Sequence, residues 1–373
     1  MKIGITGQAG FVGTHLYNTL GLFPGKYIRV PFKDEFFQDE VKLQEFISEC
    51  DVIVHLAAMN RHNDPQVIYE TNIGLVKQII AACKETNSAP HILFSSSTQE
   101  ERDNLYGKSK KEGRQLFENW AEENKASFTG LIIPNVFGPF GNPYYNSVIA
   151  TFCHQLTHNE TPRIEVDGEI KLIYVGELVQ EIIQLIDSRP AGQISEVRIN
   201  NTSQIKVSAL LELLTEYKQR YFEKGEIPSL DDPFKRNLFN TFLCYIDHQS
   251  FFPCHLKLNT DNRGSFVETM KLNSGGQVSF STTVPGITRG NHFHTRKAER
   301  FAVIKGKARI ELRRIGTDKV LTFELDGSQP SFVDMPVWYT HNITNVGEDE
   351  LYTLFWINEH FDAGDADTFF EKV

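Results

Sequence analysis

Two groups of residues in this 373-residue chain have the types and spacing that chemistry needs. The first begins with Gly7, Gly10 and Gly13, interleaved with Gln8-Ala9 and Phe11-Val12. Glycines so spaced between a strand and a helix permit a tight turn and bring backbone up to a pyrophosphate at the helix N-terminus. Further on, Tyr106 and Lys110 stand at i and i+4, on one face of a helix. A lysine cation beside a phenol is expected to lower the phenol's pKa, so that Tyr106 can pass a proton near neutral pH. Ser95-Ser96-Ser97 closes the preceding strand-like run and offers hydroxyls that can orient a carbonyl. The second group lies in the last third. His292 and His294 are two apart, which puts them on one face of a strand. Glu299 and His341 can complete a set of three imidazoles and one carboxylate. Such ligands suit Zn, Fe, Mn or Ni, and ligand type alone does not separate these.

The elements that must hold these residues change character along the chain. From Lys2 to about residue 185, strand and helix signals alternate, with Lys2–Thr6, Asp51–Leu56, His91–Ser95 and Phe128–Ile133 among the strands. Alternation of this kind implies parallel strands joined by crossover helices. The stretch 192–237 reads as mostly helical and polar, and a boundary is placed near 243–252. Beyond Leu256, short alternating runs separated by Gly, Asn, Pro and Asp indicate an antiparallel barrel. The expected fold class is therefore α/β plus all-β. Residues 1–247 should form a doubly wound parallel sheet and residues 248–373 a β-barrel.

Composition narrows the partners. A hydrophobic content of 40% and a charged content of 23% are those of a soluble globular protein. A net charge of −10 argues against a nucleic-acid partner, which requires clustered Lys and Arg. No apolar run approaches the length of a membrane span, and no basic-then-apolar leader precedes Lys2-Ile3. The five cysteines are odd in number and scattered, as expected of reduced thiols in the cytoplasm.

The N-terminal part resembles the extended short-chain dehydrogenase/reductases that act on nucleotide sugars, a Rossmann-like family. The resemblance is carried by Gly7–Gly13, Asp51–Ala58, Ser95–Thr98, Tyr106–Lys110 and Pro134–Pro139. It implies that Tyr106 is the general acid/base, that Lys110 binds the nicotinamide ribose and that Ser97 is the catalytic serine. It also implies cofactor contacts from Gly7, Gly10, Phe11, Val12, Gly13, Leu56, Ala57 and Ala58, and a substrate contact from Asn135. Two departures stand out: the Ser97-to-Tyr106 interval is short, and Pro134 precedes Asn135 with no arginine nearby. The second strand ends in Arg29-Val30-Pro31-Phe32-Lys33-Asp34, where two basic residues precede the acid, so Lys33 favours NADPH over NADH.

The C-terminal part is similar to the cupins. Gly286, His292, His294, Glu299 and Gly306 fit the first half of that pattern, and Pro336, His341 and Asn345 fit the second, with Trp338 where cupins often carry Gly. The run Asp261–Glu268 looks like a segment of the cupin 3,5-epimerases of nucleotide-linked keto sugars, which implies that Arg263 and Glu268 hold substrate. Over nearly its whole length the chain resembles bifunctional enzymes of capsular polysaccharide and O-antigen synthesis, including Tyr145–Cys153 and a tail with Asn358-Glu359, Phe361-Asp362 and Asp367-Thr368. That resemblance implies a UDP-4-keto-6-deoxy-N-acetylhexosamine substrate, inverted at carbon 3 by the cupin and reduced at carbon 4 with NADPH. The implied product is UDP-N-acetyl-6-deoxy-L-talosamine, and a zinc ion and a homodimer are implied with it. Two other readings remain open: a single-activity reductase whose cupin serves dimerisation or sugar binding, and a non-enzymatic NADP or sugar sensor.

Overall fold

The computed structural model of the chain describes residues 1–188 and 192–373. By packing, the chain forms two compact units. One comprises Met1–Phe137, Gly141–Val148 and Glu169–Ile205; the other comprises Gly138–Phe140, Ile149–Gly168 and Lys206–Val373. The change of texture near residue 247 marks where strand periodicity begins, whereas the helices between 206 and 247 pack into the β-rich unit.

In the first unit the order is β1 (Lys2–Thr6), α1 (Phe11–Gly21), β2 (Ile28–Val30), α2 (Glu40–Glu49), β3 (Val52–His55), α3 (Pro65–Glu85), β4 (His91–Ser97), α4 (Leu105–Asn124) and β5 (Phe128–Ile133). The sheet runs β2-β1-β3-β4-β5 and ends with Ile194–Arg198, and every pairing is parallel. All residues of β3 and β5 are buried, as expected of parallel strands covered on both faces. Side-chain caps set the helix starts. Asp64 accepts from Gln66 N ahead of Pro65, and Asn104 accepts from Gly107 N at 2.7 Å. Val76, Phe94, Phe117 and Trp120 fill the core between α3, α4 and the sheet.

The β-rich unit contains two five-stranded sheets. One runs Cys254–His255, Ser331–Met335, Glu299–Lys305, Leu351–Ile357, Gln277–Thr283; the other runs Val320–Asp326, Lys307–Arg314, Tyr339–Asn345, Thr288–Phe293, Phe369–Phe370. Every pairing within them is antiparallel. Two antiparallel sheets of this kind are the double-sheet arrangement of a jelly roll. Ala302, Ile310, Leu312, Phe323, Val333 and Ile343 form its apolar core. Among the described residues, no helix is long and apolar enough to cross a membrane.

Candidate active sites

The glycine turn has the shape that a dinucleotide requires. Gly7 adopts φ +68°, a strained conformation for any L side chain, and a Cβ there would lie 2.8 Å from Ala57 N. A Cβ on Gly13 would lie 2.2 Å from Gly7 O. Gly10 caps α1 with no side chain in the way, and no acidic residue in the first turn offsets the positive end of the helix. Phe11 and Val12 form that first turn. Leu56, Ala57 and Ala58 follow β3 directly, and Leu56 N donates to Thr6 O at 3.2 Å. The glycine turn and the 56–58 backbone thus line one edge of the sheet. The two basic residues after β1 differ in their contacts. The Arg29 guanidinium lies 4.2 Å from the Tyr17 ring centre and donates to Tyr17 O at 3.1 Å, whereas Lys33 is exposed beside the adjoining 3-10 turn Asp34–Gln38.

Ser97 ends β4, and its Oγ accepts from Gln99 N at 3.2 Å. Tyr106 sits in the first turn of α4, and Lys110 follows one turn later. Lys110 Nζ donates to Ser95 O at 2.8 Å and lies 5.1 Å from the Phe94 ring centre. Burial lowers the Lys110 pKa to about 8 and raises that of Tyr106 to about 12. The expected lowering of the phenol by Lys110 is therefore not found in the chain alone: the ammonium is aimed at the Ser95 carbonyl and desolvation dominates at Tyr106. Buried His55 packs beside them with Nδ1 2.6 Å from Thr6 Oγ1, and burial lowers its pKa to about 3.

The short Ser97-to-Tyr106 interval is closed by a device the sequence reading missed. Residues Thr98–Glu101 form a 3-10 turn against α4. The Glu100 carboxylate accepts from Arg114 Nε at 3.1 Å, from Arg114 Nη2 at 2.9 Å and from the Ser96 hydroxyl. Arg114 also meets Glu118 at 2.7 Å and Glu196 at 2.9 Å. A Cβ on Gly107 would lie 2.0 Å from Gln99 O, so this turn needs glycine one residue after Tyr106. The only sequence signal was the shortened interval itself.

Residues expected to hold substrate are engaged locally. Asn135 is exposed and its amide donates to Lys171 O at 3.1 Å. Arg263 sits in the turn between the strands Leu258–Asp261 and Gly264–Val267, which form their own two-stranded sheet, and Glu268 directly follows the second strand. Arg263 pairs with Asp261 at 2.6 Å and Glu268 with Lys271 at 3.2 Å.

The four expected metal ligands converge. A bulge between Gly290 and His292 sets His292 opposite His341 in the paired strands. His294 follows that strand, and Glu299 opens the facing one. One ligand atom from each residue lies within 4.8 Å of the others. Glu299 Oε2 is 3.0 Å from His341 Nε2, 3.3 Å from His294 Nε2 and 4.0 Å from His292 Nε2. His294 Nδ1 donates to Asp367 O at 2.5 Å and His341 Nδ1 to Tyr339 O at 3.2 Å, which leaves each Nε2 to face the carboxylate. Those two nitrogens and Glu299 Oε2 are buried without a hydrogen-bond partner. Buried acceptors aimed at one point fit a cation between them. A proton can partly serve. Burial works to lower the His294 pKa, yet Glu299 raises it overall; burial works to raise that of Glu299, yet His294 and His341 hold it below the usual carboxylate range. Burial, then His341 and His294, lower the His292 pKa to about 4. Trp338, in the position where cupins often carry Gly, has φ +63°, the left-handed conformation that glycine adopts freely.

Comparison with known proteins agrees with both halves. Residues 3–197 match the NAD dependent epimerase/dehydratase family, and residues 259–369 match the polysaccharide biosynthesis C-terminal domain. The chain is 34% identical over 370 residues to the UDP-2-acetamido-2,6-beta-L-arabino-hexul-4-ose reductase of Pseudomonas aeruginosa, covering 99% of this chain and 98% of that protein. It is 35% identical to the capsular polysaccharide assembling protein CapF of Staphylococcus aureus, whose crystal structure matches over 100% of both chains with a TM-score of 0.62. The UDP-glucose 4-epimerase of Thermotoga maritima, at 20% identity and a TM-score of 0.55, shares the fold over 66% of this chain and 98% of its own. The chain belongs to the NAD dependent epimerase/dehydratase family, as a relative of CapF that carries the polysaccharide biosynthesis C-terminal domain.

Proposed function

We propose that the chain is a bifunctional nucleotide-sugar enzyme of capsule or O-antigen synthesis. In this reading the β-rich unit inverts carbon 3 of a UDP-4-keto-6-deoxy-N-acetylhexosamine, and the parallel-sheet unit then reduces the carbon 4 ketone. The product is UDP-N-acetyl-6-deoxy-L-talosamine, a precursor of N-acetyl-L-fucosamine. The observation that carries the reading is the presence on one chain of the Tyr106–Lys110 pair and the converging set of His292, His294, Glu299 and His341. Likeness over 99% of the chain to a protein named a UDP-sugar hexulose reductase supports it.

When bound, NADPH supplies a hydride and a divalent ion, zinc in this reading, supplies positive charge for a ketone oxygen. The chain's own groups handle protons and orientation. Tyr106 keeps its proton up to about pH 12 and can donate it to the oxygen that becomes the alcohol. Ser97 orients that carbonyl, and the Lys110 ammonium holds the nicotinamide ribose. Gly7, Gly10, Gly13 and 56–58 hold the cofactor's phosphates and adenosine, with exposed Lys33 favouring NADPH. Asn135, Arg263 and Glu268 are proposed substrate contacts. Order follows from acidity: a ketone acidifies the hydrogen on carbon 3 and an alcohol does not, so inversion precedes reduction. The enzyme is proposed to act as a cytoplasmic homodimer.

The test is incubation with the UDP-4-keto sugar in heavy water, with and without NADPH, and deuterium mapping by NMR. Exchange at carbon 3 without NADPH, followed by trapping of the inverted alcohol when NADPH is added, is expected. Reduction with no exchange at carbon 3 leaves a single-activity reductase and overturns the bifunctional reading.

A further inference from the structure

We infer that Asp367 is a positioning residue for the metal-ligating histidines, and that the C-terminal tail from 358 to 373 is a strap holding His294 and Glu299 in place. The assignment rests on the reading of His292, His294, Glu299 and His341 as metal ligands.

One residue of the tail faces the site with two groups. Its carbonyl accepts from His294 Nδ1 at 2.5 Å. A carbonyl can only accept, so Nδ1 carries the proton and Nε2 presents its lone pair toward Glu299. Its carboxylate accepts from Thr295 N at 3.1 Å, Thr295 Oγ1 at 2.6 Å, Arg296 N at 3.0 Å and Lys297 N at 3.2 Å. These four donors lie in the short loop that separates His294 from Glu299. Asp367 is only 8% exposed, and its φ of +43° turns carbonyl and carboxylate toward the same loop. A buried carboxylate needs donors as strongly as those N–H groups need an acceptor. The carboxylate therefore pins the backbone of residue 367, and that backbone fixes the tautomer and orientation of His294.

The rest of the strap grips the same loop and the neighbouring strand. Arg296 pairs with Glu359 at 3.0 Å and with Asp365 at 2.7 Å. Lys297, 2% exposed, donates from Nζ to Ala366 O at 2.8 Å, and Ala298 N donates to Asn358 Oδ1 at 3.2 Å. Past Asp367, the strand Phe369–Phe370 pairs with Thr288–Phe293, setting Phe370 opposite His292. Glu371 N then donates to Asn291 O at 3.0 Å, within the bulge that places His292 against His341. Loop and bulge, the two irregular segments that aim the ligands, are both tied to the tail. By linkage, an ordered strap tightens metal binding, and bound metal holds the strap.

The test uses the full chain, with wild type beside Asp367→Ala, Asp367→Asn and Thr295→Val. Zinc affinity is measured by chelator competition, the cobalt(II)-loaded site by its visible spectrum, and amide exchange of residues 365–371 with and without metal. Asp367→Ala is expected to weaken zinc binding by about tenfold to a hundredfold and to alter the cobalt bands. Asp367→Asn keeps one acceptor oxygen and should recover part of the loss. Thr295→Val removes one donor of four and should give a smaller loss of a few-fold. Metal should slow exchange across 365–371 in wild type and much less in Asp367→Ala. Urea unfolding of the metal-free chain, followed by the fluorescence of Trp338 and Trp356 in the β-rich unit, serves as the check that the variants are folded. A folded Asp367→Ala chain with wild-type zinc affinity and wild-type cobalt bands overturns the inference. If Asp367→Ala does not fold, unchanged affinity and bands in Thr295→Val overturn it instead. A wild-type chain that takes up neither metal overturns the ligand assignment itself, and the strap's role with it.

Discussion

Lys110 and Tyr106 share one face of α4, with the Lys110 ammonium 5.8 Å from the centre of the Tyr106 ring. Burial drives the two groups in opposite directions, the lysine down to about 8 and the phenol up to about 12. The acid thus keeps its proton across the working range, while the cation is the group that titrates. Below about pH 8 Lys110 is charged; above it the charge is lost. Ketone reduction, read as kcat/KM against pH, should be level below that point and fall above it. Lys110→Arg should slow the reaction and remove that alkaline limb, since arginine stays charged. A limb at the same pH in the arginine variant would assign the titration to another group.

Tyr106→Phe removes the proposed proton donor and little else. NADPH oxidation with the keto sugar should drop by about 10²–10⁴-fold, the usual contribution of a positioned acid. Hydrogen exchange next to the ketone should persist, because that step is proposed for the β-rich unit, which holds the candidate metal ligands His292, His294, Glu299 and His341 and not Tyr106. Rapid NADPH turnover in the variant would remove Tyr106 from its role.

The clamp between Glu100 and Arg114 sets the turn that joins Ser97 to Tyr106. The Glu100 side chain is 8% exposed and takes two hydrogen bonds from the guanidinium. Arg114→Met leaves that carboxylate buried without its cation, a change that costs about 3–5 kcal/mol when a buried pair loses one partner. Urea unfolding should show a loss of that order. Reduction should slow further than stability alone explains at temperatures where the variant is fully folded. Metal content should not change.

The parts of both sites that sequence revealed are those set by local spacing. Gly7, Gly10 and Gly13 lie within one turn, Tyr106 and Lys110 within one helical turn, and His292 and His294 two residues apart, the first in the strand Thr288–Phe293 and the second just past its end. The parts that escaped depend on partners distant in the chain. Asp367 meets Thr295 across 72 residues, and Tyr221 meets Asp334 across 113. No periodicity encodes such pairs. Spacing likewise places Lys110 near Tyr106 but shows neither that its ammonium donates to the Ser95 carbonyl nor that burial acts on the phenol. The helices between 206 and 247 read as belonging to the first unit because period, the signal used, says nothing of what a helix packs against.

Acid should weaken the fold through two histidines that are buried neutral. Burial lowers His248 to about 4 and His55 to about 3. Above pH ~6.5, the ordinary histidine value, both states are neutral and the stability is fully present. Between there and the folded-state values only the unfolded chain takes up the protons, so stability falls as pH falls. At pH ~4.5 each histidine should contribute a loss of roughly 2–3 kcal/mol. His248 stacks on Phe252 and lies against Tyr339, so His248→Phe should keep the packing and flatten its share of the pH dependence. Urea midpoints of wild type and variant at pH 7 and 4.5 give the comparison; equal pH sensitivity would exclude His248.

Where the β-rich unit begins can be tested by cutting it. Arg300 and Asp334 face each other in paired strands, with Nε to Oδ1 at 2.7 Å and Nη2 to Oδ2 at 2.9 Å. Arg300 is 1% exposed and lies 3.7 Å over the Phe332 ring. What covers this face comes from before residue 248. Tyr221 donates its hydroxyl to Asp334 Oδ2 at 2.6 Å, and the Gly225 carbonyl accepts from Arg300 Nη1 at 2.7 Å. A fragment of residues 248–373 loses both partners and exposes the ion pair and Phe332 to water, where such a pair contributes about 0–1 kcal/mol. A fragment of residues 206–373 retains this cover of the ion pair, although it lacks residues 149–168 of the same unit. The longer fragment should therefore unfold at a clearly higher urea concentration and, once loaded with zinc, hold it more tightly. The shorter one should bind an apolar dye through its uncovered face. Equal midpoints and equal zinc affinity would show that the helices are packed on the sheet without supporting it, and that the functional boundary lies near 248 after all.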